Sequence, residues 1–145
     1  MSVNKNQSLV LTALLFLAHI TKSSAQIAAG FYAGSGDTKA AIGYDFSPKV
    51  WADIRMYGGV SLKKFTPELT INYNFVRRET HDIYLGASLS VNGKNNLTIP
   101  IGFRVKPLEK MREFQLIVEA EPLYNFHAED IQFVSFIGIR YLFSK

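Results

Sequence analysis

The residues best able to do chemistry in this sequence are acids and bases that recur at every second position. Asp53 is followed at this spacing by Arg55, and Glu119 by Glu121. Side chains two residues apart project from the same face of a β-strand. Charges on a buried face must be neutralised by partners, because an unpaired buried charge is costly. The spacing therefore predicts ion pairing along the faces of strands.

Familiar catalytic and ligand-binding motifs are missing from the sequence. It contains no cysteine, no Gly-x-Ser-x-Gly, no glycine-rich phosphate loop and no His-Glu-x-x-His. His19 lies in a segment that we expect to be removed. His81 and His127 fall in predicted turns at opposite rims, too far apart to share a metal ion. We predict no catalytic residue, no metal site and no cofactor.

Composition narrows the class of protein. The 145 residues suit one domain, and a content of 48% hydrophobic and 19% charged residues argues against disorder. The formal net charge is +4, but the cations are scattered, whereas a nucleic-acid-binding protein usually clusters them. We expect no nucleic-acid partner.

The first 25 residues have the layout of a secretory signal peptide. Residues 1–8 are polar and carry Lys5, residues 9–20 are an apolar run, and Ser23-Ser24-Ala25 places small residues at a cleavage site. A transmembrane helix would need about 20 apolar residues. We predict cleavage after Ala25, with a signal peptide at 1–25 and the mature domain at 26–145.

From residue 26 onward the hydrophobic period is two, and turn residues separate eight alternating segments. Residues 82–91, for example, place Leu85 and Leu89 on one face and Tyr84 and Ser88 on the other. Short connections favour antiparallel neighbours, and an even number of strands can close without an exposed edge. The sequence therefore predicts an all-β fold, an eight-stranded antiparallel up-and-down β-barrel with strands at 26–33, 39–46, 50–62, 65–76, 82–91, 97–106, 113–126 and 131–144.

Two features predict that the apolar face of this barrel points outward into lipid. The first is two groups of aromatic residues at the strand ends, on either side of an aliphatic band, as at the two interfaces of a bilayer. One group is Tyr44, Phe46, Tyr73, Phe75, Phe103, Phe114, Tyr141 and Phe143, and the other is Phe65, Tyr124, Phe126 and Phe133. The second is the opposite face, where glycines alternate with large rings and arginines, a composition that suits a crowded interior. A soluble lipocalin-like barrel would have the reverse arrangement.

The last strand carries a family resemblance. Its sequence, Phe-Ile-Gly-Ile-Arg-Tyr-Leu-Phe over 136–143, resembles the C-terminal signal of bacterial outer-membrane barrels, and the whole domain looks like the small barrels of the outer-membrane protein A and protein X type. The resemblance implies a transmembrane barrel in the outer membrane of a Gram-negative bacterium, in contact with its lipids and inserted by the barrel assembly machinery. It assigns the assembly signal to Ile137, Ile139, Tyr141 and Phe143.

The charges of the inward face are predicted to form a network that closes the lumen. An eight-stranded barrel is only just wide enough for its own side chains. We therefore favour a salt-bridged plug over a narrow polar channel. With the turn after the fifth strand centred on residues 92–96, Asp82 is expected opposite Lys106 and Tyr84 opposite Arg104, and Glu119 is expected diagonal to Arg140. The predicted network comprises Asp53, Arg55, Glu68, Arg104, Glu119, Glu121 and Arg140.

These observations predict a monomeric integral barrel of the outer membrane with a structural or interaction role. Short predicted external connections disfavour large protein partners. One alternative is a soluble periplasmic barrel that binds a lipid-like ligand. A less favoured one follows from the resemblance, since some eight-stranded barrels modify lipid A with a serine, a histidine and an acid at the external rim. Here His127 with Glu129 or Asp130 would be the base and its acid, and Ser61 or Ser90 the nucleophile.

Overall fold

The computed structural model describes residues 26–58, 66–92 and 94–143, and all of its regular structure is β. Alternating apolar and polar residues, rich in β-branched and aromatic types, form strands because each strand can then bury one face. Nine strand segments follow one another along the chain: β1 (Gln26–Gly34), β2 (Thr38–Asp45), β3 (Val50–Tyr57), β4 (Pro67–Arg77), β5 (His81–Ser90), β6 (Asn96–Thr98), β7 (Ile101–Val105), β8 (Phe114–Asn125) and β9 (Asp130–Phe143).

All pairings between strands are antiparallel, and β9 pairs with β1 from Ile27↔Phe143 to Gly34↔Phe136. The segments β6 and β7 both lie between β5 and β8, so they are two parts of one strand. The predicted fold is confirmed: the chain is a closed eight-stranded antiparallel up-and-down β-barrel. Closure pairs the first and last strands and leaves no free edge.

Three details differ from the prediction. The third strand ends at Tyr57 instead of reaching residue 62, and residues 59–65 lie outside the described part of the chain. The sixth strand is interrupted at Pro100, which has no backbone N–H to donate to β5, although its carbonyl accepts from Gly86 N at 2.8 Å. The hairpin between β5 and β6 is centred one residue earlier than expected, with Asn92 and Asn95 at positive φ of 61° and 44°. This shifts the pairing of β5 with β7 by two residues.

The two faces of the barrel have inverted polarity. Apolar side chains on the outer face are exposed, among them Ile42 at 62% and Ile137 at 68%. The inner face buries charged and polar side chains together with Tyr32, Trp51 and Tyr84. A water-soluble protein buries its apolar face, so this arrangement has the polarity of a protein surrounded by lipid.

The strand connections define two rims. The terminal rim contains Gln26, Phe143 and the connections 46–49, 78–80 and 106–113, and the opposite rim contains residues 35–37, 58, 66, 91–92, 94–95 and 126–129. The outer face carries Tyr-x-Phe pairs with edge-to-face rings next to both rims: Tyr44–Phe46 and Tyr141–Phe143 at the terminal rim, Tyr124–Phe126 at the opposite one. Phe65, which was predicted to belong to the same aromatic group as Tyr124 and Phe126, lies outside the described residues.

Two tyrosines lie over glycines of the adjacent strand inside the lumen. Tyr32 pairs with Gly138 and Tyr84 with Gly102. A Cβ added to Gly102 would overlap the ring of Tyr84, and one added to Gly138 would lie 2.6 Å from the ring of Tyr32. Glycine is therefore required at both positions, because only a missing side chain lets the ring lie against the barrel wall.

Within the described residues, no helix is long and apolar enough to cross a membrane. The predicted signal peptide and the cleavage site after Ala25 lie outside the described part of the chain.

Candidate functional site: the charged lumen

All seven residues of the predicted network point into the lumen, and none is more than 3% exposed. They come from β3, β4, β7, β8 and β9, so the barrel brings together residues that are far apart in sequence. Lysine, arginine, aspartate and glutamate are rarely buried this fully without ionic partners. Their ion pairs form two groups of charged side chains, one toward each rim, and the two groups are connected.

Arg55 is the centre of the first group. Its Nη1 lies 2.6 Å from Glu119 Oε1 and 3.1 Å from Glu121 Oε1, and its Nη2 donates to Glu119 Oε2 at 3.1 Å. Nη1 also lies 3.7 Å from Glu68 Oε1, and Nε lies 3.5 Å from Asp53 Oδ2. The guanidinium binds Glu119 through two parallel hydrogen bonds, a geometry that lysine cannot supply. Arg55 thus joins strands on opposite walls of the barrel.

Lys39 is the second cation of this group, and the sequence reasoning missed it. Its Nζ lies 2.8 Å from Glu121 Oε2 and 3.2 Å from Glu68 Oε1, and the side chain is fully buried. The ammonium also lies 4.2 Å from the centre of the Phe136 ring. A lysine at the beginning of a strand suggests a solvated turn, but Lys39 shares its parity with the inward-facing Ala41 and Gly43. That parity was the available signal.

The second group lies toward the terminal rim. Arg140 Nη2 lies 2.5 Å from Asp45 Oδ1 and 3.8 Å from Asp53 Oδ1. Arg104 Nη2 lies 2.8 Å from Asp82 Oδ2, an oxygen that Lys106 Nζ also reaches at 3.1 Å. Asp53 faces both groups and connects them.

The predicted register of the charges was wrong in two places. Asp82 is paired with Arg104 and Tyr84 with Gly102, each two residues from the predicted partner. Arg140 is paired with Gln115, and Glu119 with Phe136, so Glu119 is not diagonal to Arg140. The physical reason is that a hairpin's register depends on where its turn is centred, and several turn residues were available in each loop.

Aromatic side chains fill the space between the ions. Tyr32 donates its hydroxyl to Asp53 at 3.2 Å, Tyr57 donates to Glu68 at 2.7 Å, and Tyr84 donates to Glu119. The guanidiniums of Arg140 and Arg104 lie 4.5 and 5.1 Å from the ring of Trp51. These contacts use the polar tip and the π-face of the same rings, so they satisfy charges and fill volume together.

The side chains of this site neutralise one another's charges and fill the lumen. At the level of Lys39, Arg55 and Glu119 the side chains are 0–1% exposed. Toward the terminal rim a polar cavity of about 320 Å³ remains, lined by residues that include Asp82, Arg104 and Gln115. Among the described residues, no group of three or more acids, histidines or cysteines is placed to hold a metal ion.

The residues of the proposed rim enzyme are not assembled into a catalytic arrangement in the described part of the chain. His127 Nε2 contacts Asn95 Nδ2 at 2.6 Å rather than a carboxylate. Asp130 accepts from Gln132, and Ser90 is buried and accepts from the backbone of Asn96 at 3.1 Å. Ser61 lies outside the described residues.

The four residues assigned to the C-terminal assembly signal share the outer face of β9. Ile137, Ile139, Tyr141 and Phe143 are exposed there, while Phe136, Gly138, Arg140 and Leu142 face the lumen. A partner outside the barrel could therefore contact all four along one strand.

Comparison with known proteins gives likenesses of structure only. No family model matches the sequence, and neither does any curated protein. Two solved structures are similar. One is described as "De novo design of transmembrane beta-barrels", with a TM-score of 0.58 and 16% identity over 82% of this chain and 94% of that one. The other is the "Solution NMR structure of de novo designed TMB2.3", with a TM-score of 0.57 and 16% identity over 84% of this chain and 95% of that one.

The fold and the polarity of its faces place the chain in a structural class: a closed eight-stranded β-barrel of the transmembrane type. At this level of identity the likeness concerns the fold alone. The narrower resemblance to outer-membrane proteins A and X remains a prediction.

Proposed function

We propose that this protein is an integral β-barrel of the bacterial outer membrane, with a structural or interaction role and a lumen closed by its salt-bridge network. The observation that carries the proposal is the inverted polarity of the barrel. Large apolar side chains are exposed all around the outside, while acids and bases fill the inside. Such a surface is unstable in water but matches the hydrocarbon core of a bilayer.

Membrane fractionation followed by a heat-dependent gel shift tests this proposal. The mature chain, beginning at Gln26, should remain with the outer membrane after alkaline extraction. It should migrate differently before and after boiling, because a closed barrel resists unfolding by detergent at room temperature. Recovery in the detergent-free periplasmic fraction would instead support the soluble barrel.

The charged lumen weighs against a soluble carrier of a lipid-like ligand. Ligand pockets for apolar molecules are lined mainly by hydrophobic side chains. Here the centre of the barrel is occupied by Lys39, Arg55, Glu68, Glu119 and Glu121. A lipid would have to displace paired ions from a confined space, which is energetically costly.

We also propose that the barrel is not an enzyme. The support is that His127 makes its close contact with Asn95, whereas a catalytic base needs a nucleophile and an orienting acid within hydrogen-bond reach. Comparing the lipid A of cells that express the wild type or His127→Ala tests this proposal. A modification present with the wild type and lost with the variant would overturn it.

A further inference from the structure

The terminal rim carries an excess of basic residues on its exposed connections. Among the described residues, its cations are Lys49, Arg77, Arg78, Lys106, Lys110 and Arg112, against the acids Glu79, Glu109 and Glu113 in the same connections and strand ends. The other two acids near this rim, Asp45 and Asp82, are engaged by arginines of the lumen. This set of six cations is called the basic collar below.

Most of the collar is not neutralised by the protein. Lys106 is paired with Asp82, and Arg112 Nη2 lies 3.5 Å from Glu79 in an exposed contact. Such exposed pairs contribute little. Within the described residues, Lys49, Arg77, Arg78 and Lys110 have no ion-pair partner within 4.0 Å.

The opposite rim has a different charge pattern. Its described cation, Lys94, is paired with Asp37 at 2.5 Å, and Glu129 and Asp130 are also present. The described connections and strand ends of this rim hold one cation outside the lumen network, Lys94, against three acids, Asp37, Glu129 and Asp130. Within the described residues, the basic excess therefore belongs to the terminal rim.

Apolar side chains are interleaved with the cations in the longest described connection of this rim. Leu108 is 46% and Met111 45% exposed, next to Lys110 and Arg112. Hydrogen bonds from Met111 N to Leu108 O and from Phe114 N to Met111 O shape this connection into successive turns. Exposed apolar residues beside cations are typical of segments that lie in the headgroup region of a membrane.

The collar also has the right depth for lipid headgroups. Along the barrel axis, the collar lies just beyond the aromatic residues of the terminal rim, among them Phe75, Phe103, Phe114 and Tyr141. Aromatic side chains favour the boundary between hydrocarbon and headgroups. Lysine and arginine just beyond them can reach phosphates while their aliphatic stems stay against apolar surface.

We propose that the basic collar binds the headgroups of anionic glycerophospholipids, so that the leaflet around the terminal rim is enriched in them. This inference rests on the proposed membrane location. Basic residues next to a membrane surface are attracted to anionic lipid, and the attraction weakens with salt because these charges are solvent-exposed.

Spin-labelled lipids test the proposal. The full barrel is reconstituted in phosphatidylcholine vesicles, and the fraction of immobilised spin-labelled phosphatidylglycerol is compared with that of spin-labelled phosphatidylcholine. We expect phosphatidylglycerol to associate about fivefold more strongly than phosphatidylcholine at low salt. This ratio corresponds to about 1 kcal/mol, the attraction of one surface cation to anionic lipid. The preference should fall toward one in high salt.

Two matched triple variants locate the effect. Lys49→Gln/Arg78→Gln/Lys110→Gln removes three collar cations, and Lys63→Gln/Lys64→Gln/Lys94→Gln removes the same charge at positions that do not belong to the collar. The first variant should lose most of the preference and the second should keep it. The proposal that the collar binds anionic lipid would be overturned by any of three results. These are an equal loss of the phosphatidylglycerol preference in both variants, no such preference in the wild type, or binding of peptidoglycan in place of lipid selectivity.

The heat-dependent gel shift of each reconstituted sample separates the two proposals. A chain that does not insert contradicts the membrane location and the collar with it. An inserted chain without a preference for phosphatidylglycerol overturns only the proposal that the collar binds anionic lipid.

Discussion

At the scale of single residues, the lumen shows how a small barrel tolerates many buried charges. Arg55 contacts four carboxylates, and Lys39 contacts two. Buried ion pairs of this kind often contribute little net stability compared with a well-packed apolar core. Their removal one at a time is nevertheless costly, since each deletion leaves opposite charges unpaired.

Replacing Arg55 with alanine should therefore destabilise the barrel strongly. The variant leaves Glu119 and Glu121 without their guanidinium partner, and the free energy of unfolding is expected to fall by about 3–5 kcal/mol. Lys94→Ala, which breaks an exposed pair with Asp37, should cost about 0–1 kcal/mol. Urea unfolding in detergent micelles, followed by the fluorescence of the single tryptophan, Trp51, gives both values. Similar losses in the two variants would contradict the assignment of Arg55 as the centre of the network.

A methyl group added at Gly102 should also be destabilising. Its Cβ would overlap the ring of Tyr84, which is held in place by Glu119, and overpacking of this kind costs about 1–3 kcal/mol. The matched control is Gly30→Ala, where the nearest atom lies 3.3 Å away on the ring of Tyr32. Unfolding free energies should rank Gly102→Ala as the more damaging change, and the reverse order would show that Tyr84 can move aside.

At the scale of the strand, the pleat decides which function a residue can have. Along β9, Phe143 and Phe136 are seven residues apart and face opposite sides: Phe143 is 52% exposed and Phe136 only 3%. The first can meet lipid or an assembly factor, and the second can only pack inside the barrel.

Phe143→Ala and Phe136→Ala should consequently fail in different ways. We expect Phe143→Ala to lower the amount of barrel inserted in membranes, because the side chain belongs to the predicted assembly signal. Phe136→Ala should lower the unfolding free energy of the purified barrel by about 3–5 kcal/mol, since it leaves a cavity beneath Lys39. Quantifying the heat-shifted band in membranes, alongside urea unfolding, separates the two effects. Equal insertion of the two variants would argue against an assembly role for Phe143.

Depth along the same strand gives a test of the surrounding medium. Ile137 and Ile131 are both 68% exposed on the outer face of β9, but Ile131 lies next to the opposite rim and Ile137 lies well within the strand. Arginine at the middle of a bilayer costs about 2–4 kcal/mol and near an interface about 0–1 kcal/mol. Ile137→Arg should therefore be the more destabilised variant in lipid bilayers. Equal stabilities would indicate that both positions face water.

At the scale of the whole molecule, closure turns eight marginal strands into one unit. Each strand satisfies its backbone hydrogen bonds only through both neighbours, and β1 does so through β9. In a bilayer this is required, because the hydrocarbon offers no partners for unpaired N–H and C=O groups.

The closed barrel should conduct no steady ionic current. The side chains at the level of Lys39 and Arg55 fill the cross-section, so planar-bilayer recordings of the wild type should be silent. Arg55→Ala removes the central guanidinium and should produce a measurable leak. Arg140→Ala, which acts nearer the terminal rim and leaves the contacts of Lys39 and Arg55 with Glu121 in place, should leak less. Large, stable open-channel currents from the wild type would exclude the closed lumen and favour a pore.

The sequence alone was sufficient for the number of strands, their approximate bounds and the face on which each residue lies. These properties depend on a period of two that repeats within each strand, so they need no information from elsewhere in the chain. The inward orientation of Asp53, Arg55, Glu68, Arg104, Glu119, Glu121 and Arg140 followed from the same alternation.

Only the tertiary structure decided which of these charges meet. The register between strands depends on the centre of each turn, where several glycine and asparagine residues could serve equally well. The contact of Arg55 with Glu119 joins residues 64 positions apart across the lumen, and that of Arg140 with Asp45 joins residues 95 apart. Lys39 shows the same limit, because its partners Glu68 and Glu121 come within reach only when the barrel closes. Local alternation fixes the direction of a side chain, but its distance from a partner depends on the curvature and closure of the whole sheet.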